Sequence, residues 1–169
     1  MPDTANFTLA TAGLSDQGSL GPFLLAVCGP VRGQEIALAG AAHFPTSSLE
    51  DELMAADDFY FSQIDLMDCC FLAKVGTELV GAACLNPYVA ELEYLAVNPA
   101  WRRRGIGKAL FQMVRKEASR RRLDHLRVEA SLALADPDGL AFLETLGFGE
   151  IRRTALLGMA IPLAPAPNP

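Results

Sequence analysis

The chain has no apolar run long enough to span a bilayer. Its hydrophobic stretches end early: Phe23–Cys28 is bounded by Pro22 and Pro30, far short of the roughly 20 residues a spanning helix needs. The N-terminus lacks a basic segment followed by an apolar one, so no signal peptide is read, and a soluble cytoplasmic protein is the default expectation. A cysteine framework is also missing. Cys28, Cys69, Cys70 and Cys84 show no C-x-x-C spacing, which argues for reduced, packed thiols and against a metal site or disulfide scaffold. Adjacent Cys69 and Cys70 belong on opposite faces of a strand. Basic side chains are scarce before Arg102, where only Arg32 and Lys74 oppose thirteen carboxylates, a balance of -11. From Arg102 onward the balance is +5, and the whole chain carries -6. A nucleic-acid partner needs a broad basic face, and none is present. An acidic surface suits a cationic amine.

What is present fits a folded domain. With 169 residues, 51% hydrophobic and 20% charged, the chain is long enough and apolar enough for one core. The informative stretch runs from Ala90 to Arg122. Ala90–Val97 is a strand pattern in which Glu91 and Glu93 share a face and Tyr94 alternates to the other. Asn98-Pro99 breaks it. Trp101-Arg102-Arg103-Arg104-Gly105-Ile106-Gly107-Lys108 then leads into a helix whose apolar positions are Ile106, Ala109, Leu110, Met113 and Val114. A strand, an Arg/Gly-rich turn and a helix N-terminus together make an anion site. The first helical N–H groups lack internal partners, the dipole adds partial positive charge, and the arginines add full charges. Gly105 and Gly107 allow close backbone approach, and a diphosphate fits.

Other phosphate motifs do not match. A P-loop needs Gly-x-x-x-x-Gly-Lys-Ser/Thr, but Arg102 stands at its first position and Ala109 follows Lys108. A dinucleotide fingerprint needs a third glycine where Leu110 stands.

The stretch resembles the acetyl-CoA signature of the GNAT superfamily of N-acetyltransferases. That pattern is Arg/Gln-x-x-Gly-x-Gly/Ala after a strand ending in Val-x-Pro. Arg102, Gly105 and Gly107 match it, as do Val97 and Pro99. The resemblance implies an α/β (α+β) fold, a mixed and largely antiparallel central sheet flanked by helices on both faces. It covers Phe71 to Phe148 specifically. The single domain 1–169 then divides into an N-terminal acceptor-side part (1–68), an acyl-CoA-binding core (69–148), a closing hairpin (149–163) and a tail (164–169).

The patterns around the motif agree. Phe7–Thr11, Cys69–Val75, Leu79–Leu85 and His125–Ala130 read as strands. Helices are expected from Ser19 to Cys28, over 34–42, from the Ser47/Glu50 capping box through Tyr60, and from Asp136-Pro137 to a stop at Gly147. Glu150–Arg153 and Leu156–Ile161 read as a hairpin.

The resemblance implies acetyl transfer from acetyl-CoA to a primary amine of a small molecule or peptide by direct attack. No metal takes part, no nucleic acid or membrane is a partner, and a homodimer is compatible. By carry-over Leu95, Ala96 and Val97 hold the thioester and pantetheine. Arg102, Arg103, Arg104, Gly105, Ile106, Gly107 and Lys108 take the diphosphate. Glu91, with Glu93 beside it, stands where some members carry a glutamate base; the bland alternative is a carboxylate paired with an arginine. His43 and His125 are weaker candidates. Two positions depart from the family: Leu143 replaces the tyrosine that many members use as the acid for the thiolate, and Asp136 replaces a common asparagine. Leu143 makes a non-catalytic acyl-CoA-binding module the competing reading.

Overall fold

A computed structural model describes residues 6–28, 68–131, 137–153 and 156–163. The helices expected over 34–42 and 47–60 lie outside these residues, as do His43 and Asp136. The described elements are β1 Thr8–Thr11, α1 Gln17–Cys28, β2 Cys70–Val75, β3 Glu78–Asn86, β4 Glu91–Val97, α2 Ile106–Arg120, β5 His125–Ser131, α3 Pro137–Thr145, β6 Gly149–Arg153 and β7 Leu156–Pro162. The strands form one seven-stranded sheet in the order β1-β2-β3-β4-β5-β7-β6. Every junction is antiparallel except β4–β5. The fold class read from the sequence is therefore the one observed. Among the described residues, no helix is long and apolar enough to cross a membrane.

Helices cover both faces of the sheet. On one face α2 buries Ile106, Leu110, Phe111, Val114 and Ala118, an apolar stripe at helical spacing. They pack with Phe71, Ala83, Leu85, Leu92, Leu126 and Val128. Gly81 lets the helix come this close, since a Cβ there would sit 2.9 Å from Ile106 Cγ2 and 3.0 Å from Leu110 Cδ1. On the other face Leu20 and Leu24 of α1 pack on Cys70, Leu72, Ala82, Cys84, Tyr94 and Ala96. Cys69 and Cys70 thus point to opposite faces, as adjacent strand residues must. The helix α1 starts earlier than its Ser-Leu-Gly-Pro segment suggests, at Gln17, and tolerates Pro22 in its second turn. The helix α3 stops before Gly147, whose φ of 96° permits the closing Phe148 N–H to Leu143 carbonyl bond of 3.1 Å.

A β-bulge changes the faces of β4. Cys84 pairs with Tyr94 and Leu85 with Leu92, so Glu93 has no counterpart on β3. Leu92 consequently joins the α2-side core, while Tyr94 and Ala96 join the α1-side core. Tyr94 therefore does not alternate away from the carboxylates. The extra residue returns it to the α1 face, the face that Glu91 shares with its register partner Asn86.

One ion pair fixes the entry to α1. The Asp16 carboxylate accepts from Lys74 Nζ on β2 at 2.5 Å and from the Gly13 N–H at 2.9 Å. The Lys74 hydrogen bond, then the Gly13 N–H, hold the Asp16 carboxyl below its ordinary value. A lowered folded-state value stabilises the fold above the unfolded value of about 3.9 and loses that contribution as pH falls through the folded value. Asp16→Asn should cost about 0.5–1 kcal/mol at neutral pH. Urea denaturation should show the two proteins converging as pH falls through the lowered Asp16 value. An equal difference at both pH values would remove the ion pair as its cause.

Candidate functional site

The site is built where β4 ends and α2 begins. Asn98 accepts the Ala100 N–H through its side-chain oxygen at 3.0 Å and donates its own N–H to the Val80 carbonyl at 2.9 Å. This anchors a short 3-10 turn, Pro99–Trp101. Arg102 Nε donates to the Val97 carbonyl at 3.2 Å. The Arg104 guanidinium lies over the Trp101 ring, 4.7 Å from its centroid, a cation–π contact that steers a long side chain. The chain then turns through two left-handed residues, Arg103 at φ 64° and Gly105 at φ 83°.

Gly105 caps α2 with no side-chain hydrogen bond. Helical bonding begins with the Ala109 N–H to the Gly105 carbonyl at 3.0 Å, so the N–H groups of Ile106, Gly107 and Lys108 precede the ladder. Nothing lies within 4 Å of where a Gly105 Cβ would be. Arg102, Arg103, Arg104 and Lys108 are exposed around this helix end. The arrangement offers backbone donors, helix-dipole charge and four cations to an anion.

Gly107 has a different reason from Gly105. A Cβ at Gly107 would stand 3.1 Å from Phe142 Cζ on α3 and 3.5 Å from Leu95 Cδ2. Its missing side chain seats a ring from the neighbouring helix. The motif alone assigns Gly107 only a ligand-facing role, because its partner Phe142 is remote in the chain.

β4 and β5 meet at one point. Glu91 is opposite Arg127, and the Arg127 N–H donates to the Ala90 carbonyl at 2.9 Å. No further pair of the two strands follows, so they diverge toward the Arg/Gly turn. The Asn98 N–H faces β3. By the alternation of an antiparallel ladder, Ala96 also turns its backbone groups to β3. Leu95 and Val97 turn theirs to the edge facing the divergence. Of the three residues expected to present backbone groups there, Ala96 therefore differs: its N–H belongs to the β3 ladder.

The carboxylates sit at the closed end of this fork. Glu91 accepts from Arg127 Nη2 at 3.2 Å, and the two side chains are 23% and 37% exposed. Glu93, the bulged residue, accepts from Asn86 Nδ2 at 2.9 Å. Sequence reasoning missed both Asn86 and Arg127. Arg127 was visible only as the polar alternate between Leu126 and Val128.

Tyr94 is buried, and its hydroxyl points to Cys70 Sγ at 3.8 Å, across β3 toward β2 and away from β5. Burial, then the neighbouring thiols, push its phenol well above the ordinary value. Cys84 is pushed up likewise by burial and by the Cys70 thiol, 2.6 Å from it. Protonated, buried thiols are poor nucleophiles, so this cluster is packing. His125 is exposed and bonded to adjacent Asp124, away from Glu91 and Glu93. Leu143 packs against the α2-side core.

The profile of the "Acetyltransferase (GNAT) family" matches residues 38–148. Among solved structures, the ribosomal-protein-S18-alanine N-acetyltransferase of Escherichia coli is similar at 18% identity and a TM-score of 0.65, covering 96% of this chain and 97% of that one. The PaiA N-acetyltransferase of Thermoplasma acidophilum, solved in complex with coenzyme A, is similar at 14% identity and a TM-score of 0.63, covering 93% and 99%. Ard1 of Thermoplasma volcanium gives 14% identity and a TM-score of 0.62, covering 94% and 98%. These likenesses are of fold. No curated protein matches the sequence.

The Gly107–Phe142 contact yields a test independent of any ligand. Gly107→Val should lose about 1–3 kcal/mol through overpacking. In a Phe142→Leu background the loss should shrink by more than about 0.5 kcal/mol. Simple additivity in denaturant unfolding would mean that the ring does not set the glycine requirement.

Proposed function

Because this chain belongs to the GNAT family of acetyltransferases, we propose that it transfers an acetyl group from acetyl-CoA to a primary amine of a small molecule or peptide, in the cytoplasm. The observation that carries the reading is a coincidence along one strand. The uncapped, cation-ringed start of α2 lies beyond one end of β4, the strand divergence lies along it, and two carboxylates lie at its other end.

Each part has a chemical task. The N–H groups of Ile106, Gly107 and Lys108, with Arg102–Arg104, hold the diphosphate. The edge backbone groups of Leu95 and Val97 hold the pantetheine and thioester in the fork. Bound there, acetyl-CoA supplies an activated acyl group. The amine lone pair attacks the thioester carbonyl carbon, forming the C–N bond. An N–H of the β4 edge stabilises the oxyanion. The C–S bond then breaks and the electron pair leaves on sulfur.

Glu93 is the better-placed base, taking the ammonium proton directly or through water. The bulge sets it nearer the open part of the fork, beside the neutral Asn86 amide, whereas Glu91 is matched by the Arg127 guanidinium. The order of the two carboxylates is thus the reverse of the one the sequence suggested. A thiol with a pKa of about 8.5 leaves tolerably as thiolate near neutral pH, so a tyrosine at position 143 is not essential. Tyr94 does not replace it, since its hydroxyl points away from the fork.

Calorimetry should show that Lys108→Ala and Arg103→Ala each weaken acetyl-CoA binding about tenfold or more. Affinities equal to the parent would refute the placement of the diphosphate. Glu93→Gln should lower kcat by about 10²–10⁴-fold and flatten the ascending limb of the pH–rate profile. Glu91→Gln should act more mildly. Unchanged kcat and pH profiles in both variants would remove the carboxylates from the mechanism. Leu143, which packs against the core and offers no donor, keeps a non-catalytic acyl-CoA-binding module as the second reading. Tight acetyl-CoA binding without turnover of any amine would select it.

A further inference from the structure

The Arg127 guanidinium is under-used. It lies at the single point where β5 meets β4, on the face that carries Glu91. Nη2 reaches Glu91 Oε2 at 3.2 Å, yet Nε is buried without a hydrogen-bond partner among the described residues. Arginine carries five donors in a planar fork suited to a carboxylate. A buried donor left unmade is costly to the fold; the exposed part of the same side chain, 37% accessible, is where a ligand anion would meet the guanidinium.

The residues beyond Arg127 in the same row of the sheet are small. In register, Arg127 is opposite Ala160 of β7, and Ala160 is opposite Gly149 of β6. Cross-strand partners share a face, so two small residues continue the row from Glu91 and Arg127. Nothing lies within 4 Å of where a Gly149 Cβ would stand. Glu91, Arg127, Ala160 and Gly149 thus form one row across the sheet face, in which the Arg127 side chain is 37% exposed.

We propose that Arg127 selects an acceptor bearing a carboxylate, so that the substrate class is an amino acid or the free C-terminal end of a short peptide, with its amine directed to Glu93. This rests on the acyl-transfer reading above and deepens it. Glu91 then holds Arg127 in place between the two substrate groups. The ammonium meets the acidic end of the row and the carboxylate meets the guanidinium, so each charge of a zwitterion has an opposite partner.

The test sets each acid beside its own amide: glycine and glycinamide, β-alanine and β-alaninamide, γ-aminobutyrate and γ-aminobutyramide, glycylglycine and its amide. CoA release is followed, and rates are corrected for the free-base fraction of each amine. The parent should prefer the carboxylate in at least one pair by about tenfold or more in kcat/KM. Arg127→Ala should collapse that ratio mainly through KM of the carboxylate. Arg127→Lys, which keeps the charge and loses the fork, should fall between. Amides used as well as acids by the parent in every pair would overturn the proposal without touching acyl transfer. The proposal is overturned equally if Arg127→Ala lowers acid and amide by one factor, as a purely structural role would. No turnover with any amine would overturn the acyl-transfer reading and this inference with it.

Discussion

β4 is bound differently along its two edges. On the β3 side it is paired along its whole length. On the β5 side it is held at Glu91 and then released. The chain leaving β4 must turn through Pro99–Gly105, run the length of α2 and return as β5 in the same direction. A parallel neighbour requires such a crossover, and here the strands separate toward the end where α2 starts. Backbone groups freed inside a sheet have to find water or a ligand. An opening of this kind between two strands, with a helix N-terminus at its mouth, gives an extended molecule with amide groups and a terminal phosphate a place to lie.

The bulge at Glu93 makes this edge compatible with a dry interior. Without the extra residue, strict alternation would put Leu92, Tyr94 and Ala96 on one face. Leu92 would then leave the core under α2, where it is almost fully buried, or Tyr94 would leave the pocket made by Cys70 and Cys84. The bulge satisfies both packing demands and leaves Glu93 against Asn86. A carboxylate placed by an irregularity of its own strand is held more firmly than one on a loop, which suits a proton acceptor that must meet a substrate amine at fixed distance.

Much of the fold was legible because it depends on local patterns. The stripe Ile106, Leu110 and Val114 and the Gly147 stop carry their reasons within a few residues. What the sequence hid depends on contacts between distant segments. The bulge exists only relative to β3, so the pattern of β4 alone assigns Tyr94 to the wrong face. Gly107 answers to Phe142 on another helix. Ala96 resembles Leu95 and Val97 until the ladder shows which way its N–H points. Arg127 looks like an ordinary solvent-facing strand residue until the register sets it beside Glu91.

Side chains of opposite charge lie at the two ends of β4. Glu93 and Val97 are four residues apart, about 13 Å along an extended strand. The carboxylates lie at one end and the arginine turn lies beyond the other. Under the proposed reaction the polyanionic cosubstrate is drawn to the arginine turn and the acceptor's ammonium to the carboxylates at the other end of the strand. Screening over about 8 Å at physiological ionic strength keeps the two fields distinct, so neither ligand is drawn to the wrong end. The thioester falls between them, where net charge is low and the β4 edge offers only amide dipoles. That is the environment in which a few oriented N–H groups stabilise a developing oxyanion most effectively.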